Sequence, residues 1–355
     1  MLVEPASLCW LAGQKAERRD GATWAGVLGR WPALRAVIRD DGTGLGKGVR
    51  LVNQQRAKSR RPELEDGLDV FHLLREASRA SRVTWAGASR AMLQAEAAQA
   101  RVDRRRDQGL PCRGYGSTAR RLWNRAERVF DQAVAADAAW GRARGAFDLF
   151  RRDGLLNDRG QAMAVAAAAL PQLPGPAWAK VRRLLVRPES YTFLDQAGRR
   201  LEALGLEPDV LKALLDLEGL RRQPWRREGE AAAAGAARGL ALARTVQLEK
   251  GLPAWREEAA GVNRVLRGVW RASSLVECVN SVARMQQARH RKMTQGLLDL
   301  KRLYWNLRRF RTGPRKGQTP YGRLGLKLPQ LSFWEFLKLT PEELREQLSV
   351  TDDTP

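Results

Sequence analysis

The chain has 355 residues, with 63 Lys and Arg against 39 Asp and Glu, giving a formal net charge of +24 and an isoelectric point near 11.1. That length can bury two or three cores, and so large a cationic excess points to a polyanionic partner, of which nucleic acid is the commonest. Three scattered cysteines (Cys9, Cys112, Cys278) and only two histidines exclude a disulfide framework and a His-rich metal site. The longest apolar run, residues 163–170, is too short to cross a bilayer, and with Glu4 so close to Met1 no secretory leader is read; a cytoplasmic protein with no membrane partner is expected.

Residues 1–20 alternate apolar and polar side chains around a Pro-Ala-Ser turn, which predicts a β-hairpin. TWAGVLGR (23–30) reads as a short helix with Trp24, Val27 and Leu28 inward and Asp20 or Thr23 as its cap. LRAVIRD (34–40) reads as a strand with Ala36, Ile38 and Asp40 on one side and Val37 on the other. GTGLGKG (42–48) follows and leads into a helix over 49–57. A strand ending in an acid before a glycine-rich turn is a common layout for a site at the C-terminal edge of a sheet. The turn is not a phosphate loop, because Gly48 rather than Ser or Thr follows Lys47 and no GxGxxG frame with a later acid is present; no nucleotide cofactor is expected. Asp40 and Asp41 as ordinary turn acids is the plainer alternative.

In residues 63–76, Leu68, Val70, Phe71, Leu73 and Leu74 supply apolar weight, and Asp69 with His72 reads as a structural or supporting pair. From about 80 to 266 the signals are helical throughout, with Leu211, Leu214, Leu215, Leu217 and Leu220 along one stripe. Breaks fall near 109–116, 154–160, 171–176 and 228–230, and no repeat period appears.

Residues 271–300 are expected to form one helix, with Ser273 or Ser274 as N-cap and Glu277 where a capping-box glutamate would sit. Leu275, Val279 and Val282 give its buried face, while Glu277, Asn280, Ser281 and Arg284 lie on another. Residues 284–323 carry twelve Lys and Arg against the single acid Asp299, interleaved with Tyr304, Trp305, Phe310 and Tyr321. The arginines are expected to meet a DNA backbone, and the aromatics to serve chiefly as core. Two closing helices are marked by S/T-x-x-E at Ser332–Glu335 and Thr340–Glu343.

The words SSLVECVNSVAR, TQGLLDLKRLYWNLRRF and RKGQTPYGRLGLKLP, in that order over about sixty residues, resemble the C-terminal end of bacterial insertion-sequence transposases of the DDE type. The resemblance implies an α/β fold: an RNase H-like core, lacking its first strand, interrupted by a large all-α insertion. The hairpin at the start resembles the core's second and third strands, so the first strand, with the first catalytic aspartate, would lie upstream of Met1. DVFHLL (69–74) resembles the fifth strand running into a helix. The implied organisation is core at 1–79, helical insertion at 80–266, the glutamate helix and basic core segment at 267–330, and a helical tail at 331–355.

Glu277 matches the family's third metal carboxylate and Asp40 the second, with Asp41 as the alternative. The implied cofactor is Mg2+ or Mn2+, and the implied reaction is two-metal-ion cleavage and joining of DNA ends. Implied DNA contacts are Asn280, Arg284, Arg289, Arg291, Lys292, Arg308 and Arg309, and a homo-oligomer on transposon ends is the implied assembly. A truncated remnant that binds DNA without cutting it is the alternative.

Overall fold

A computed structural model describes residues 1–226, 231–287, 293–326 and 331–349. Helix dominates the described residues, which also hold four short strands, and the chain divides into two compact units: Met1–Asp66 with Ala272–Pro355, and Gly67–Arg271. The first unit is therefore built from both ends of the chain, and the second is inserted between them. The division falls at 66/67 and 271/272, against the 79/80 and 266/267 expected from sequence.

In the first unit, β1 (Leu2–Val3) pairs antiparallel with β2 (Trp10–Ala12) in the expected hairpin. The turn is closed by the Glu4 carboxylate, which accepts from the backbone N–H groups of Ala6 (2.9 Å) and Ser7 (2.6 Å). Helix α1 (Gly21–Gly29) starts on Asp20, whose side chain accepts from Thr23 N at 2.9 Å; that bond holds the Asp20 carboxyl below its ordinary pKa. Strand β3 (Ala36–Arg39) pairs with β4 (Glu65–Leu68) in a second two-stranded sheet, joined through helix α2 (Thr43–Lys58). Leu28, Val37, Val49, Val52 and Leu64 form the core beneath these elements.

Helix α2 begins at Thr43, six residues before the expected start, so most of the GTGLGKG run is helical. The reason is close packing. A Cβ on Gly44 would stand 1.8 Å from the Arg19 carbonyl oxygen, and one on Gly48 would stand 2.5 Å from Trp24 Cβ. A Cβ on Gly46 would stand 3.1 Å from the Arg39 guanidinium. These glycines let α2 approach α1 and the backbone before it, and that is a packing role.

The second unit opens with the last two residues of β4, Gly67 and Leu68, running into the helix α3 (Val70–Asp107). DVFHLL is thus the helix start rather than a strand: Asp69 is its N-cap, accepting from His72 N at 3.2 Å and contacting His72 Nδ1 at 2.6 Å. Helix α4 (Tyr115–Arg144) packs along α3 as a long hairpin through small residues, Ala77 and Ala80 near Ala136, Ala139 and Ala143, and Ala91 and Ala95 near Ala126. Helices α5 (Arg159–Ala169), α6 (Ala179–Leu185), α7 (Thr192–Glu202), α8 (Pro208–Arg226), α9 (Ala231–Gly251) and α10 (Trp255–Arg267) complete a core centred on Phe147, Phe150, Trp178 and Tyr191. Trp178 is fully buried and its Nε1 donates to Thr84 Oγ1 at 3.0 Å, satisfying the one polar atom of that ring.

The expected single helix over 271–300 is two: α11 (Ser274–Gln287) and α12 (Gln295–Leu307). Thr294 ends the continuity, since its hydroxyl caps α12 by accepting from Leu297 N at 3.2 Å. Three short helices follow, α13 (Pro320–Arg323), α14 (Phe333–Phe336) and α15 (Pro341–Ser349). Both expected tail caps are present: Ser332 and Glu335 form a full capping box, and Thr340 N donates to Glu343 Oε2 at 2.7 Å while Glu343 N donates back to Thr340 Oγ1 at 3.2 Å.

Candidate nucleic-acid and metal site

Asp40 sits directly after β3, exposed, with its Oδ1 accepting from Gly42 N at 3.1 Å. That Asx-type bond turns the chain from the strand into α2 and leaves the second carboxylate oxygen outside the turn bond. Asp41 is half-buried. The strand end is anchored by its neighbour Arg39, nearly fully buried, whose Nε and Nη2 both donate to the Asp66 carboxylate at 2.7 Å. A bidentate pair of this kind fixes planar geometry as well as charge.

Glu277 lies in the first turn of α11 and is exposed. Because the helix begins at Ser274, Ser273 takes the N-cap place, and the N3 place of a capping box belongs to Val276 rather than Glu277. Val279, two residues on and so on the other side of the helix, is fully buried between Trp10 and Trp305 and seats α11 on the hairpin. Asn280 is half-buried.

Asp40 and Glu277 thus belong to the same unit. A two-metal centre for phosphodiester chemistry needs about three carboxylates around its ions. Among the described residues, no group of three or more His, Cys, Asp or Glu side chains comes together. The Asp69–His72 pair belongs to the inserted unit and is occupied in capping α3.

The basic segment divides into two groups. Several of its cations tie the two ends of the chain into one unit. Arg302 Nη1 donates to Leu11 O at 3.0 Å, Arg323 Nε to Ala6 O at 3.2 Å, and Arg315 Nε to Ala6 O at 3.4 Å. Three neutral side chains of α12 do the same work along β2. Trp305 Nε1 donates to Leu8 O at 2.9 Å, and Gln295 Nε2 donates to Gly13 O at 3.0 Å. Asn306 accepts from Trp10 N at 2.9 Å and donates to Trp10 O at 3.0 Å, imitating a neighbouring strand.

Arg302, Arg315 and Arg323, which are not among the implied DNA contacts, thus each donate to a backbone carbonyl of the N-terminal segment. Arg308 and Arg309 are exposed, Arg308 near the Trp305 ring at 6.0 Å and Arg309 with one nitrogen on Gly317 O at 2.8 Å. Arg284 falls within α11, whereas Arg289, Arg291 and Lys292 lie outside the described residues. Trp305 is core, as expected for the aromatics, while Tyr304 is exposed with its ring edge-on to Phe333.

Cys9 is buried and its pKa is pushed up to about 11, chiefly by that burial and then by Glu4. Among the described residues no helix is long and apolar enough to cross a membrane. Comparisons with protein-family models, curated proteins and solved structures find no match to the chain.

Proposed function

We propose that this chain is a DNA-binding polypeptide built on the plan of a DDE transposase, in which the inserted helical unit interrupts an RNase H-like core. The observation that carries the reading is the composite first unit: residues 1–66 and 272–355 form one compact body although 205 residues separate Asp66 from Ala272. A strand-end aspartate and a helical glutamate on the two sides of an insertion are what the transposase resemblance implies, and this connectivity supports it.

The net charge of +24 favours DNA as the partner through phosphate contacts. Asp40 and Glu277 are the candidate carboxylates for Mg2+ or Mn2+. Binding to duplex DNA is the part of the reading that the charge carries, and cleavage at these two carboxylates is the further step that the experiment below tests. The transposase reading proper adds cleavage and joining of ends by metal-held carboxylates.

One experiment separates the two. Purified full chain is incubated with supercoiled plasmid and Mn2+. Retention of the plasmid is expected. Nicking that disappears in Glu277→Gln would instead identify a cleaving enzyme, and failure to retain DNA would remove both readings.

A further inference from the structure

The two long helices of the inserted unit end in a concentration of arginine that no sequence motif marks. Between residues 101 and 128, the distal part of the α3–α4 hairpin, there are nine arginines against three acids (Asp103, Asp107, Glu127). The rest of the same two helices, nearer the core, carries six arginines against four acids. A uniform codon bias towards arginine would not grade the charge in this way along one helical hairpin.

At the tip, Arg101, Arg113, Arg120, Arg121 and Arg125 are all exposed. None of the five makes an ion pair with an acid among the described residues, whereas the neighbouring Arg106 sits 3.7 Å from Asp103. Arg121, Arg125 and Arg128 follow one another at helical spacing on α4, spanning about 10 Å at about 1.5 Å per residue. Buried alanines at Ala91, Ala95 and Ala126 hold the two helices together behind them.

We propose that this arm is a second nucleic-acid surface, one that grips the phosphate backbone of duplex DNA. A row of guanidinium groups on paired helices is preformed, so little ordering is needed to meet a regular array of phosphates. Single-strand recognition would call for free aromatic faces on which bases stack. At the tip one face of the Tyr115 ring is taken by Arg105 at 4.4 Å, and Trp123 is half-buried against the alanine layer, so guanidinium groups outnumber stacking faces there. The inference rests on the hairpin's own charges, and absence of any metal-dependent cleavage leaves it standing.

The test uses the full chain. Arg101, Arg113, Arg120, Arg121 and Arg125 are changed together to Gln, and a charge-matched control changes Lys212, Arg238, Lys250, Arg264 and Arg267, exposed cations away from the tip. Duplex binding is measured against salt concentration. Each phosphate that is no longer neutralised lowers the slope of log affinity against log salt by about 0.9, so the tip variant is expected to lose about 3 to 4 units of slope and more than tenfold in affinity, and the control less than one unit.

Equal losses in the two variants, or no loss at the tip, overturn the proposal. So does a wild-type preference for single strands, RNA or anionic vesicles over duplex DNA. Helical circular dichroism checks the fold, and should the fivefold variant fail it, Arg121→Gln with Arg125→Gln alone must still lower the slope by more than one unit.

Discussion

Asn306 makes the most exacting prediction about how the first unit is held together. Its side chain is fully buried and answers both backbone groups of Trp10, on the β2 edge that no other strand covers among the described residues. Asn306→Leu keeps the approximate volume and removes both partners. A buried backbone group left unpaired costs about 1–3 kcal/mol, so the two together cost about 2–6 kcal/mol, while the leucine recovers about 1–2 kcal/mol through apolar burial. The net loss expected is about 2–3 kcal/mol, the middle of a range running from zero to about 5 kcal/mol, located in the unit formed by the two chain ends.

Asn306→Asp is the sharper variant because it keeps the acceptor for Trp10 N and sets an anion against Trp10 O. Burial and that carbonyl raise the folded-state pKa of the new carboxyl above its ordinary value. A raised folded pKa means that the stabilising protonated form is fully present only below the unfolded value of about 3.9, and is lost as pH rises through the folded value. The deficit relative to wild type therefore grows with pH and shrinks towards pH 4. Hydrogen exchange read on the Trp10 amide, beside urea unfolding at several pH values, measures both effects. If exchange at Trp10 is unchanged in Asn306→Leu, or the Asp deficit does not vary with pH, the side chain is not acting as the missing strand.

Three further outcomes are expected. Gly44→Ala gains about 1 kcal/mol of helix propensity but drives a Cβ to 1.8 Å from the Arg19 carbonyl, so it should destabilise by about 2 kcal/mol net; Gly87→Ala, with nothing within 4 Å, should stabilise by up to about 1 kcal/mol. Thermal unfolding of the two variants decides whether the glycine run serves packing. Asp66→Asn leaves the buried Arg39 guanidinium without its anion and should cost near the lower end of about 3–5 kcal/mol, Asp66 being about one-fifth exposed, with the loss read as a lowered urea midpoint. Lys301 Nζ is buried with no hydrogen-bond partner, and its pKa is lowered by desolvation. Lys301→Met should therefore stabilise the chain by about 1–3 kcal/mol at neutral pH. In wild type this deficit is present below the lowered folded-state pKa and relieved as pH climbs towards 10.5, so a variant whose advantage does not narrow at high pH contradicts the assignment.

Local signals were readable wherever local chemistry decides the outcome. The Asp20 cap, the hairpin around Pro5, the strand at 36–39 and the two tail caps all follow from side chains reaching a few residues along the chain. The glycine run misled on where α2 begins because its meaning lies in a neighbour: only the approach of Arg19 and Trp24 explains why Gly44 and Gly48 lack side chains. Thr294 looks unremarkable in a polar stretch, yet it starts a new helix.

The basic segment was harder still. Composition counts cations but cannot tell Arg302, committed to Leu11 O, from Arg308, which is exposed. The words that carry the family resemblance include Gln295, Trp305 and Asn306, whose part here is to hold the N-terminal hairpin. The arginines at the end of the α3–α4 arm, scattered over a loop in sequence, become a group only once the two helices fold back on each other.

Titration of the full chain against a labelled duplex over a range of salt concentrations, with and without Mn2+, bears most directly on the proposal that this is a DNA-binding polypeptide of transposase plan. Saturable binding with a steeply negative salt slope is the predicted result. Absence of binding at low salt, or binding indifferent to salt, would contradict it.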